Sequence, residues 1–86
     1  MNPLISKQQI FDIVLTHVRD VLPDLQHRGL CRNDSLKDLG ANSLDRADIV
    51  LGVMESLSLR IPRVELFGPR NLGELVDLIH ERLQQS

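Results

Sequence analysis

The sequence predicts an all-α bundle of three main helices plus one short helix, and two observations carry that prediction. Apolar residues recur at helical spacing in three separate segments, and no run alternates with period two. The first segment spans about residues 6–22, where Ile10, Val14, Val18, Val21 and Leu22 share a stripe that Phe11 and Leu15 widen. Pro23 follows, and the residue before a proline is steered out of the helical region. From there the chain reads as a long ordered loop, punctuated by Gly29, Asn33, Asp34 and Gly40 and anchored by Leu30, Leu36 and Leu39, with a short helical turn at Ser35–Leu39. Connections longer than about 12–15 residues are uncommon in compact domains and tend to be functional, which draws attention to where this one ends.

The second helix is expected from about Leu44 to Leu59. Ala47, Ile49, Val50, Val53, Met54 and Leu57 cover a broad apolar arc, while Asp45, Asp48, Gly52 and Glu55 form a stripe that is acidic apart from its glycine. Ile61-Pro62 ends it, and Arg63–Phe67 fit one short helical turn closed by Gly68-Pro69. Asn71 is a good N-cap for the last helix, with Glu74 placed to complete a capping box. Leu72, Leu75, Val76, Ile79 and Leu83 then supply its apolar stripe. With no repeat or low-complexity segment, residues 1–86 are expected to form a single domain.

Composition narrows the function. A chain of 86 residues buries only roughly 60–65% of its unfolded surface, enough for one core. Phe11 and Phe67 are the only aromatics, so aliphatic packing must do most of the stabilising. The net charge of −2 and the lack of a Lys/Arg cluster leave no electrostatic footprint for nucleic acid. The single Cys31 cannot form an internal disulfide and is expected as a small buried or boundary residue. No apolar run approaches the roughly 20 residues that span a bilayer, and no apolar export segment follows the N-terminus. No membrane association is expected, and a reducing cytoplasm fits.

Catalysis by this chain alone is not expected. His17, His27 and His80 fall on or near three different elements with no ligand spacing between them, so they read as surface or boundary residues and no metal is assigned. Asp34 and Asp38 suit turn formation, and Gly40 alone does not make a phosphate-binding loop. Ser43 stands apart by position. One reading makes it the N-cap of the second helix, accepting a hydrogen bond from an amide of the first turn. Asn42, one residue earlier, is an equally capable cap and would leave the hydroxyl free to point outward. No histidine or lysine lies near it in sequence to take its proton, which argues against a nucleophile. A helix N-terminus does favour an anion, which makes Ser43 a candidate modification site.

The string LGANSLDRADIVLGVMESL resembles the loop-to-second-helix segment of acyl carrier proteins, whose signature is a glycine, a small or variable residue, Asp-Ser-Leu and an amphipathic helix. The likeness extends over nearly the whole chain, through DSLKDLG in the loop, the Ile61-Pro62 break, the short helix and the final helix. It implies an acyl-carrier-like bundle with phosphopantetheine attached at Ser43 by a phosphopantetheinyl transferase. Asn42 stands where the family usually has Asp, which keeps capping ability and loses a charge. Arg46 and Arg63 make the surface less acidic than that of a fatty-acid-synthesis carrier. RADIVLGVMESLSLRIPRVEL followed by GPRNLGEL is similar to the freestanding donor carriers of polyketide β-branching cassettes. That finer resemblance implies an acetyl group held as a thioester and given to an HMG-CoA-synthase-like enzyme, with an acyltransferase and a decarboxylating ketosynthase-like enzyme as further partners.

The chemistry would then belong to the arm's thiol and to visiting enzymes, and the bundle would be a monomeric handle. Asp45, Asp48 and Glu55 would meet basic residues on partners, with Arg46 beside them. Leu44, Leu51 and Met54 are the apolar residues nearest that stripe, and are either contact anchors or core. Val64, Glu65 and Phe67 on the short helix are the next contact candidates, although Phe67 also suits the core. Two rivals remain at this stage: a peptidyl or aryl carrier sharing Ser43 and the fold, and a non-covalent helical interaction module in which Ser43 is only a cap.

Overall fold

A computed structural model describes residues 5–85. Three α-helices form, α1 at Lys7–Val21, α2 at Ser43–Leu57 and α3 at Leu72–Gln85. Short 3₁₀ helices at Pro23–Leu25 and Arg63–Phe67 complete the described elements. The first of these lies where a plain loop is expected. Pro23 sets the first φ of that turn at no cost in hydrogen bonding, and Leu25 drops into the core. The expected helical turn at Ser35–Leu39 is present as a single α-turn that is not continued into a helix, closed by the Leu39 amide on the Ser35 carbonyl and followed by the Ala41 amide on the Leu36 carbonyl. Gly40, at φ +96°, lets the chain turn out of this knot towards α2.

Each helix starts for a local reason. Ser6 caps α1 by a full capping box, its hydroxyl accepting from the Gln9 amide while the Gln9 side chain accepts from the Ser6 amide. α2 ends at Ser58 in the left-handed region (φ 52°), with the Leu59 amide reaching back to the Met54 carbonyl and Leu59 buried behind it. All of the first amides of α3 find acceptors. Leu72 donates to the Asp34 carbonyl, Gly73 to the Arg32 carbonyl and Glu74 to the Asn71 side chain. The Glu74 carboxylate reaches the Arg70 amide rather than that of Asn71, one residue beyond the expected box.

The core is aliphatic throughout. Ile10, Val14 and Val18 of α1 meet Ile49, Val50 and Val53 of α2 and Leu72, Leu75, Val76 and Ile79 of α3. α1 packs against both other helices, whereas α2 and α3 are joined through the 3₁₀ helix at Arg63–Phe67. An ion pair from Glu65 to Arg82 (3.0 Å) ties that helix to α3. His17 of α1 lies over Gly52 of α2, where a Cβ would collide with the imidazole, and bonds to the Ser56 hydroxyl at 2.8 Å. Cys31 is exposed, a correction to the buried or boundary position expected of it: its backbone amide is turned onto the Asp34 carboxylate and its side chain faces outward. Among the described residues no helix is long and apolar enough to cross a membrane.

Candidate functional site

The loop delivers the chain to α2 through buried Leu39 and Ala41, so the next residues have no freedom but to start a helix at the surface. Asn42 takes the cap. Its side chain accepts from the Asp45 amide at 2.8 Å, and the Asp45 carboxylate accepts from the Asn42 amide at 3.2 Å. With Asn42 closing the helix, Ser43 becomes its first residue, exposed and outside the capping bonds. The group within hydrogen-bond range of its hydroxyl is the Arg46 guanidinium, whose Nη2 donates to Oγ at 3.4 Å. A guanidinium cannot accept a proton, so among the described residues the serine hydroxyl is bonded to no base.

Beside Ser43 a cleft of about 670 Å³ opens where α2 and α3 stand apart. Its floor is apolar, from Val50, Leu66, Leu72 and Leu75. Its charged lining residues, Lys37, Arg46 and Arg70, are all cationic, although the chain as a whole carries −2. Arg46 Nε is buried without a hydrogen-bond partner. The Arg46 guanidinium and the N-terminus of α2 lie at the hydroxyl, and Lys37 and Arg70 line the same cleft, so the charges on this side favour a negatively charged group.

The structure sorts the remaining site candidates. Leu44 is 76% exposed, Val64 71%, Phe67 47% and Leu51 36%, which takes Phe67 out of the core. Met54 is half-buried and packs against the core, nearer the structural of its two readings. Asp48 and Glu55 are exposed, but Asp45 is half-buried in the cap and Glu65 is half-buried against Arg82. Gly52 is covered by His17, so the acidic stripe is not an open groove at that point. Lys37 and Arg70 were not among the expected site residues. They lie 6 residues before and 27 after Ser43, and only the fold brings them to the same cleft.

A small bundle that holds out one hydroxyl at the mouth of a cationic cleft, with no base bonded to it among the described residues, is suited to bear a group that another enzyme installs. That is the class of a covalent carrier. The chain belongs to the phosphopantetheine attachment site family, which it matches over residues 12–79, and the cofactor of that family is covalent phosphopantetheine. It is 43% identical over 81 residues to the polyketide biosynthesis acyl-carrier-protein AcpK of Bacillus subtilis (strain 168), covering 94% of this chain and 99% of that one. An acyl carrier protein of Clostridium perfringens is 26% identical over 76 residues, covering 88% of this chain and all of its own. Among solved structures, a chain of the curacin biosynthetic pathway HMG synthase in complex with acetyl donor-ACP superimposes with a TM-score of 0.86 at 47% identity, covering 90% of this chain and 99% of that chain.

Proposed function

We propose that this protein is the acetyl-donor carrier of a polyketide β-branching system, with phosphopantetheine attached at Ser43. The observation that carries the reading is the match to the curacin complex. Since 90% of an 86-residue chain covers 99% of the matched chain, that chain is the small carrier and not the synthase. The exposed hydroxyl, set free by the Asn42 cap, supports Ser43 as the attachment point and speaks against a module in which the serine only caps. Installation by a phosphopantetheinyl transferase would form a P–O bond to Ser43 Oγ and break the pyrophosphate link of coenzyme A. The serine proton passes to a base on the transferase, and the adenosine bisphosphate half leaves.

Bound there, the arm supplies a thiol that holds an acyl group as a thioester. The chain's own residues do the rest. α2 fixes the root of the arm, and the Leu44, Leu51, Val64 and Phe67 faces offer apolar contacts to an HMG-CoA-synthase-like partner. Asp48 and Glu55 orient the encounter. The same surface serves an acyltransferase and a decarboxylating ketosynthase-like enzyme in turn, so each must dissociate. Such a carrier performs no catalysis itself, works as a monomeric single domain over residues 1–86, and acts in the cytoplasm.

Intact mass spectrometry tests the attachment. Wild type incubated with coenzyme A, magnesium and a promiscuous phosphopantetheinyl transferase should gain one phosphopantetheine, and Ser43→Ala none. Acetyl transfer from the loaded form to an HMG-CoA-synthase-like enzyme then tests the donor role. Charging by an adenylating enzyme in its place would mark a peptidyl or aryl carrier. No adduct on folded wild type, with a control carrier modified in parallel, would leave only a binding module.

A further inference from the structure

Arg46 is set differently from the other arginines whose side chains are bonded within the described residues. Arg32 is paired with Asp77 and Arg82 with Glu65, while Arg19 donates to two backbone carbonyls. Among the described residues no carboxylate lies within ion-pair range of Arg46. Its guanidinium is folded back by one helical turn onto Ser43 Oγ, a neutral oxygen at 3.4 Å, and its Nε is buried with no acceptor at all. A buried donor without an acceptor is unfavourable, and a cation whose only near partner is a hydroxyl is undercompensated. The side chain is therefore held in a place that an anion on Ser43 would complete.

We infer that Arg46 is a clamp, supplied by the same chain, for the phosphodiester carried on Ser43. The inference rests on Ser43 being the attachment point. Esterification places phosphoryl oxygens two bonds beyond Oγ, within reach of a guanidinium that already lies 3.4 Å from it, and charge-assisted bonds of this kind close to about 2.7–2.9 Å. The planar fork can engage a phosphate through two donors, as a lysine cannot. Lys37 and Arg70 on the cleft wall add to the field without touching the serine. Asp45 opposes it, but its carboxylate is drawn back onto the Asn42 amide. Arg46 is then a positioning residue that restrains the root of the arm, and its guanidinium is committed inward rather than to a partner surface.

Nuclear magnetic resonance of ¹⁵N-labelled apo and holo protein decides this. In wild type, the Arg46 Nε–H signal should shift on modification, and its exchange with water should slow about tenfold or more, as expected for a hydrogen bond to a charged acceptor. The ³¹P line of the holo form should move and narrow in Arg46→Met, with Arg46→Lys between the two. The wild-type comparison needs no variant, so poor modification of Arg46→Met does not block the test. An adduct on Ser43 with an unchanged Arg46 signal and the same ³¹P line in all three proteins would overturn the clamp and leave the attachment site standing. Failure of folded wild type to accept the arm would overturn the attachment site, and the clamp with it.

Discussion

Whether residue 42 or residue 43 closes α2 decides what Ser43 can be used for, and the two possibilities differ measurably in stability. Asn42 is exposed yet bonded twice through the capping box with Asp45. Removing such a cap costs about 1 kcal/mol, which in a domain of this size lowers the melting temperature by about 4–8 °C. Ser43 bonds only to the Arg46 side chain at the long distance of 3.4 Å, so its loss should stay within about 0.5 kcal/mol. Thermal melts of apo Asn42→Ala and Ser43→Ala should therefore separate clearly. Equal losses would make the serine hydroxyl the cap and withdraw it from modification. Both residues were legible as caps in the sequence, since both types bond well to orphan amides. Spacing alone could not choose between neighbours, because the choice lies in the backbone angles at Asn42 (φ −83°, ψ −177°), which the preceding buried Ala41 helps to set.

At the scale of elements, helical periodicity made all three helices legible to within two residues at most of their ends. The way the long loop holds α3 was not legible. Arg32 and Asp34 accept the first amides of α3 through backbone carbonyls, and backbone carbonyls carry no sequence signature. Gly73 is the trace left in the sequence, since a Cβ there would press on the Arg32 side chain. Arg32 also pairs with Asp77, 45 residues away, and Lys7 of α1 joins the same carboxylate at 3.2 Å. The bonds from Arg32, helped by Lys7 and opposed by slight burial, hold the Asp77 carboxyl below its ordinary value of 3.8. A depressed folded-state value means that the ionised pair stabilises the fold above the unfolded carboxyl's range, and that this increment is lost as pH falls through the folded value. Arg32→Ala should thus lower stability at pH 7, and the gap to wild type should shrink as acid titrates Asp77. Urea unfolding of both proteins at neutral pH and near pH 3 measures it, and a gap that stays constant would show that Arg32 acts by packing alone. Both partners are about half exposed, so the gap should be modest and should diminish in salt.

For the molecule as a whole, the arrangement separates an aliphatic interior from an exposed apolar face, the face on which the proposed docking would take place. α1 binds α2 and α3 together with Ile, Val and Leu, leaving α2 free to expose Leu44 and Leu51 on the side away from that packing. Val64 and Phe67 project from the 3₁₀ helix that joins α2 to α3, so the apolar contacts lie on two elements that share the cleft beside Ser43. Sequence periodicity could not place Leu51 or Met54, because an apolar arc as broad as that of α2 has no sharp edge. The structure divides them, with Met54 against the core and Leu51 at the surface. A charge at Leu51 therefore tests the surface with little effect on the fold. Leu51→Glu should keep the helical circular dichroism spectrum and lower kcat/KM for acyl transfer about tenfold or more, the usual effect of losing one contact anchor. The defect should persist at high salt, because an apolar contact has been removed, whereas Asp48→Asn should slow association chiefly at low salt. Loss of helicity in Leu51→Glu would return the residue to the core. Unchanged transfer in a folded variant would move the docking face off this side of α2, towards Val64 and Phe67 alone.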